Sequence, residues 1–289
     1  MGEMADNLLE LIRLTATDLP HDVEDALTRA REAQTAGSTG ASVLDTILAN
    51  VRMARARSTP MCQDTGLLNF FVKHPRGADL DAFRKEACDA AARATEKAWL
   101  RPNAVHSLTG KNSGNNAGVG LPVFQFESQE KDAWEVRLLL KGGGSENVGA
   151  QFRLPDEGLK AGRDLDGARR AVLKAVFDAQ GEGCSPGVIG VGIGGDRAGS
   201  FSLAKKQLLR DLGDRNEDPA LAKFEETLHT ECNRLGIGPM GLGGGFTVLG
   251  VKAGVAHRHP ASFFVSVAYL CWAARRRRMV VDKGGVFIE

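Results

Sequence analysis

No run of 18 or more apolar residues occurs in the 289-residue chain, so it offers no membrane-spanning helix. Residues 1–18 mix acidic with apolar side chains and lack the basic start and apolar block of a secretory signal. Excess charge of one sign is also missing. The chain has 37 Lys and Arg against 36 Asp and Glu, a net charge of +1, which gives no support to nucleic-acid or membrane-surface binding. The one basic cluster, Arg275-Arg276-Arg277-Arg278, reads as a solvated helix end or an interface. There are only five cysteines, irregularly spaced and with no CxxC pair. That argues against a disulfide framework and for a reducing compartment, the cytoplasm. There is no clean internal repeat and no low-complexity linker.

What is present alternates between strand and helix patterns. Residues 1–58 read as a helical N-terminal segment, with Leu8, Leu9, Leu11 and Ile12, then Val23, Ala26 and Leu27, then Val43, Leu44, Ile47, Leu48 and Val51 at helical spacing. Asp18-Leu19-Pro20 and Gly37-Ser38-Thr39-Gly40 separate three helices. Strands are expected at 67–73, 123–127, 134–141, 188–195 and 246–252, and helices at 80–99, 167–180, 202–212 and 219–235. Residues 101–120 form a polar stretch rich in Asn and Gly, and a loop of that length in a compact domain is usually functional. The reading is an α/β fold with mixed sheets flanked by helices, as one catalytic domain over 1–289.

The cysteines sort by their surroundings. Cys232 falls on the stripe Leu221, Phe224, Leu228, Cys232, Leu235 and reads as core; Cys88 lies among alanines on the 80–99 helix and reads as structural. The other three differ. Cys62 opens the run Cys62-Gln63-Asp64-Thr65-Gly66, whose polar heads are ill suited to a core. Cys184 precedes Ser185-Pro186-Gly187, and Cys271 follows an apolar run that itself follows His257-Arg258-His259-Pro260. Three thiolates suit an iron–sulfur cluster with one iron left without a protein ligand.

Seven ordered segments carry a resemblance over nearly the whole chain: Cys62-Gln63-Asp64-Thr65-Gly66, Arg101-Pro102-Asn103, Asn112-Ser113-Gly114-Asn115-Asn116, Gly142-Gly143-Gly144-Ser145-Glu146-Asn147, the stretch from Cys184 to Gly195, the stretch from Gly236 to Gly244, and Cys271-Trp272-Ala273. The chain resembles the iron–sulfur-dependent class I fumarases and L(+)-tartrate dehydratases, specifically their N-terminal half or α subunit. The resemblance implies that Cys62, Cys184 and Cys271 ligate a [4Fe–4S] cluster whose fourth iron binds the substrate's hydroxyl and a carboxylate. It implies that Gln63, Asp64, Arg101 and the backbone near Gly144 line the site. It places His259 near the substrate hydroxyl, with His257 as the competing choice. It also implies a β subunit, the homologue of the C-terminal half of fused class I fumarases, in an α2β2 assembly that completes the active site. The chain departs from the family pattern at Asn115, where Asp is frequent, and at Ser185, where a second Pro is frequent.

The chemistry fits these residue types. Removing water from a 2-hydroxy dicarboxylate needs an activated leaving group, which an open iron supplies as a Lewis acid. Asp64 and a histidine suit proton transfer at that oxygen. Arg101 suits a bidentate grip on a carboxylate. Asn112, Asn115 and Asn116 read either as further donors or as turn formers. Fumarate hydration is favoured over tartrate dehydration, with mesaconate as another C4 substrate. Outside this class stand a non-catalytic iron–sulfur carrier and a dinucleotide-binding protein, the latter from Gly190-x-Gly192-x-x-Gly195 between a strand and a helix.

Overall fold

A computed structural model describes residues 2–289. The N-terminal segment forms three helices, α1 (Glu3–Thr17), α2 (His21–Glu32) and α3 (Thr39–Arg57). The first break falls at Asp18 to Pro20, where the chain turns extended before proline. None of the helices among the described residues is long and apolar enough to cross a membrane. Two compact units follow from the fold, one comprising residues through Pro20, Ala49–Gly143 and Arg275–Glu289, the other His21–Leu48 and Gly144–Ala274.

The first unit is built on a five-stranded mixed sheet in the order β2-β1-β3-β8-β9. Its strands are β1 (Leu67–Pro75), β2 (Val123–Gln129), β3 (Trp134–Lys141), β8 (Arg276–Asp282) and β9 (Gly285–Ile288). β1 pairs in parallel with β2, and all other pairings are antiparallel. Helix α1 and helix α4 (Leu80–Glu96) cover one face, burying Leu8, Leu11, Ile12, Phe83, Ala87 and Ala91 against Phe70, Leu138, Leu140 and Met279. The small residues of α4 let helix and sheet approach closely, and Asp79 caps the helix by accepting the N–H groups of Asp81 and Ala82.

The second unit carries a four-stranded sheet in the order β4-β7-β5-β6, made of β4 (Ala150–Arg153), β5 (Gly187–Ile193), β6 (Val248–Val255) and β7 (Phe264–Leu270). Helices α6 (Leu165–Ala179) and α8 (Pro219–Arg234) pack on Ile189, Val191 and Ile193. Helix α7 (Arg197–Gln207) lies on the opposite face, against the alternate residues Gly190 and Gly192. A Cβ on either glycine would sit 2.1 Å from a backbone oxygen of α7, Ala204 O or Ser200 O. These two glycines therefore exist for helix–strand contact. The first turn of α7 is already capped by the Asp196 carboxylate, which accepts Gly199 N–H at 2.6 Å. A packing role thus accounts for the glycine pattern that a dinucleotide site would otherwise suggest.

Two expectations are corrected by the structure. The arginine run is no helix end: Arg276–Arg278 open β8, and Arg275 and Arg276 are only 1% and 7% exposed. Arg277 donates to Asp18 Oδ2 at 2.7 Å and Arg278 to Glu135 Oε2 at 3.1 Å, so these two charges have specific acidic partners. Helix α7 begins at Arg197, ahead of the expected Ser202, because Asp196 supplies the cap. The glycine run at 142–147 closes into a short helix, α5 (Gly143–Asn147). Strands β4, β7, β8 and β9 have no counterpart in the local reading; β4, β7 and β8 pair with segments distant in the chain, and β9 folds back on β8.

Candidate active site

In the first unit, the segment from Cys62 to Gly66 leads directly into β1. Its entry is pinned by two hydrogen bonds, Met61 N–H to Ala16 O at 3.3 Å and Asn50 Nδ2 to Met61 O at 2.7 Å. Gly66 has φ +79°, and a Cβ there would lie 2.9 Å from the Lys141 backbone, so only glycine serves. The Asp64 carboxylate accepts Gly66 N–H at Oδ1 (3.0 Å) and Gly143 N–H at Oδ2 (2.7 Å). Thr65 is fully buried, and its Oγ1 accepts both Arg101 N–H and the Asn103 side-chain amide at 3.0 Å. The Arg101 side chain is exposed, and its Nη1 reaches toward Gln63 O at 3.5 Å. Cys62 is half-buried, Gln63 exposed and Asp64 half-buried. The first unit thus brings Gln63, Asp64 and Arg101 together beside Cys62.

In the second unit, Cys184 sits in the turn that precedes β5, at φ +55°. A non-glycine residue in the left-handed region is strained and must be held by its surroundings. Cys184 N–H donates to Gly181 O, Ser185 Oγ donates to Gly238 O at 2.6 Å, and Met240 N–H donates to Ser185 O at 2.7 Å. Cys271 follows β7, the antiparallel neighbour of β5, and Trp272 N–H donates to Cys184 O at 3.1 Å. The two cysteines therefore lie at the same end of the sheet, neither in a disulfide and both half-buried. Gly144 joins them there: a Cβ on it would lie 3.4 Å from Glu182 O, two residues before Cys184.

Tyr269 packs under this turn. A Cβ on Gly183 or Gly187 would meet its ring at 2.6 or 2.4 Å, so both glycines make room for the aromatic. Burial, and then the neighbouring Cys271 and Cys184, push the Tyr269 phenol well above its usual range. Cys232 is fully buried in the α8 core, and burial raises its thiol to about 12, an inert core thiol as its helical stripe implies. Burial also raises the half-buried Cys88 thiol on α4.

The histidines fall elsewhere. His257 and His259 lie in the loop between β6 and β7 and are exposed. That loop is at the opposite end of β7 from Cys271; the strand's 7 residues span roughly 23 Å. His257 O accepts Gly195 N–H at 3.1 Å, at the far end of β5, while His259 Nδ1 accepts Ala261 N–H at 3.1 Å. Within this unit, then, His259 is not gathered with Cys184, Cys271 and Gly144. Twelve residues separate His259 from Cys271 in the chain, and an extended strand converts most of that separation into distance.

The donor set suits a thiophilic centre, because soft thiols on half-buried turns are the ligands such metals select. Two of the three candidate thiols, Cys184 and Cys271, are brought together by one unit. Among the described residues, no three His, Cys, Asp or Glu side chains are already gathered as a metal site.

The comparisons with known proteins point the same way as these motifs. A family model described as fumarate hydratase (fumerase) matches residues 5–280. A Geobacillus stearothermophilus protein carrying the name fumarate hydratase class I is 50% identical over 285 residues, which cover 98% of this chain and 55% of that protein. A Methanocaldococcus jannaschii protein carrying the name L(+)-tartrate dehydratase subunit alpha is 37% identical, covering 97% of this chain and 99% of the relative. The Escherichia coli K12 protein named L(+)-tartrate dehydratase subunit alpha is 33% identical, covering 97% of this chain and 91% of that one. The chain thus spans about half of the first relative and nearly all of the other two. Hydratases and dehydratases add or remove water, and matches of this extent make the chain one of the hydro-lyase class. It belongs to the fumarate hydratase family.

Proposed function

We propose that this chain is the α-type part of an iron–sulfur-dependent hydro-lyase that acts on a C4 dicarboxylate, with fumarate and (S)-malate as the preferred pair. The observation that carries the reading is the convergence of Cys184 and Cys271 at one end of the second unit's sheet. With Cys62 they would hold a [4Fe–4S] cluster, which supplies Lewis acidity toward the substrate's hydroxyl and carboxylate when bound.

The chain's own residues then have definite tasks. Arg101, anchored through its backbone and exposed at its guanidinium, grips a substrate carboxylate through two parallel N–H groups. Gln63 and the Gly144 N–H orient the rest of the dicarboxylate. Asp64 is held by one backbone N–H on each oxygen, which leaves each oxygen a second lone pair to take or return a proton at the substrate's oxygen. His259, placed at the other end of β7, is given no step. A β subunit in an α2β2 assembly would supply the remaining machinery. Relatives named as α subunits support this reading. The names of those relatives favour a second reading, dehydration of L(+)-tartrate, whereas the higher identity to the fumarate hydratase relative favours the first.

The test is anaerobic reconstitution of the chain co-expressed with a candidate β subunit, followed by iron and sulfide analysis, EPR, and turnover with fumarate, (S)-malate and L(+)-tartrate. About four irons per α chain, the stoichiometry of a [4Fe–4S] cluster, with a spectrum perturbed by malate or fumarate, is the expected result. Cys184→Ala and Cys271→Ala should each lower bound iron and turnover by ~100-fold or more, since even residues behind the ligands are worth 10–100-fold. A wild-type complex without iron, or a cluster indifferent to both substitutions, overturns the reading. Turnover of tartrate alone replaces the first substrate with the second.

A further inference from the structure

We propose that Asn116 is a positioning residue for the reaction, acting through Arg101, and the proposal rests on the reading of Arg101 as the carboxylate grip. Residues 101–103 belong to no helix or strand, yet nearly every polar group of their backbone is held by a side chain. Arg101 N–H donates to Thr65 Oγ1 at 3.0 Å, and Arg101 O accepts Asn116 Nδ2 at 2.8 Å. Pro102 O accepts Asn112 Nδ2 at 2.7 Å, and Asn103 N–H donates to Asn116 Oδ1 at 2.8 Å. The second Asn116 amide hydrogen goes to Thr95 Oγ1 at 2.8 Å, near the end of α4.

Asn116 is only 2% exposed, and both amide hydrogens and the amide oxygen are engaged within the protein. It therefore has nothing left to offer a substrate. Its backbone lies at φ +60°, a conformation that asparagine tolerates better than most residues. One side chain thus ties α4 to both ends of the Arg101–Asn103 segment. Asn103 passes the constraint on, donating to Thr65 Oγ1 and Gly66 O, on the two residues that follow Asp64. The neighbouring asparagines do less: Asn112 Oδ1 accepts Gly114 N–H and Asn115 Oδ1 accepts Ala117 N–H, turn contacts within the loop itself. A grip on a carboxylate depends on where the guanidinium sits, and a buried, saturated amide is the rigid reference for it.

The experiment is steady-state kinetics of the reconstituted complex in a double-mutant cycle of Asn116→Ala and Arg101→Ala. Calorimetric binding of (S)-malate and tartrate is measured on the same preparations. Asn116→Ala alone is expected to raise KM and weaken dicarboxylate binding about tenfold, with bound iron unchanged. In the Arg101→Ala background the same substitution should have almost no further effect, the signature of a residue that acts through its partner. If Asn116→Ala lowers kcat and iron content but leaves KM alone, or if its effect is undiminished in the Arg101→Ala background, the positioning role is overturned. If Arg101→Ala itself leaves dicarboxylate binding intact, the underlying reading of Arg101 fails, which is a separate result. Should Asn116→Ala not fold, Thr95→Val removes one of its three contacts, and a smaller rise in KM that again vanishes with Arg101→Ala is the expected outcome; no rise overturns the proposal.

Discussion

The two units hold their candidate residues in opposite ways. In the first, side chains do the holding: Asp64, Thr65, Asn103 and Asn116 bind backbone N–H and C=O groups across 2 to 79 positions of sequence. In the second, the backbone does most of it, with the Ser185 hydroxyl bonded to Gly238 O. Cys184 and Cys271 are placed by a strand pairing, a strained turn and glycines whose missing side chains admit Tyr269 and α7. Hydrogen-bonded side chains allow an exposed group such as Arg101 to be aimed from a loop. Steric placement by glycine suits small, soft donors that have only to sit at a fixed point.

The difference can be sharpened by breaking each unit at its own kind of joint. The largest effect is expected from Gly190→Ala. The new methyl would meet Ala204 O at 2.1 Å, a backbone atom that moves only if α7 leaves β5. A cost of about 3 kcal/mol or more is expected in urea unfolding, the upper end for overpacking. A cost below about 1 kcal/mol would mean that the helix yields easily and that glycine placement is not what holds this unit. Thr65→Val is the matching test in the first unit. It keeps the shape but strips the acceptor from Arg101 N–H and Asn103 Nδ2. About 2 kcal/mol is expected, the cost of leaving buried donors without a partner, together with weaker dicarboxylate binding. A neutral result would remove hydrogen bonding as the first unit's organising device.

The smallest effect is in pH dependence, and it too separates the units. On α8, burial, with Lys252 second, pushes the His229 imidazole below its ordinary 6.5, against a hydrogen bond to the Val248 backbone that raises it. As pH falls through about 6.5 the unfolded chain takes up a proton that the folded chain refuses. Stability contributed by keeping His229 neutral is therefore present above that pH and declines until the folded value is reached. In the first unit Glu135 is pushed up by burial but drawn below the carboxylate range overall by hydrogen bonds from Arg278 and Arg137. Its contribution is present above its ordinary value of 4.5 and lost only as pH falls lower. A urea series between pH 8 and 5.5 should show a slope that His229→Gln abolishes and Glu135→Gln leaves in place; a slope unchanged by His229→Gln would show that another group is responsible.

Much of the fold was legible because its cues are local. The breaks at Pro20 and Gly37, the alternation of apolar residues and the start of α8 at Pro219 are each settled within a few residues of chain. Strands β4, β7, β8 and β9 and the arginine run were not, because β8 is placed by pairing with β3 over 130 positions away, and nothing local distinguishes a buried arginine strand from a solvated helix end. Of the candidate site, the cysteine run and Arg101 could be read from residue types and motif order. The work of Asn116 could not, since its partners lie 13 to 21 positions away.

The sequence by itself determined which chemistry the chain can carry: three cysteines in polar or turn settings, a carboxylate and an arginine in a fixed order, and the family to which that order belongs. Only the tertiary structure decided which of those residues meet. It set Cys184 beside Cys271, turned Asn116 inward to hold Arg101, and left His259 at the far end of β7. The reason is physical. Residue type and local spacing specify donors, charges and turns, whereas proximity is fixed by strand pairing and buried hydrogen bonds between segments far apart in the chain.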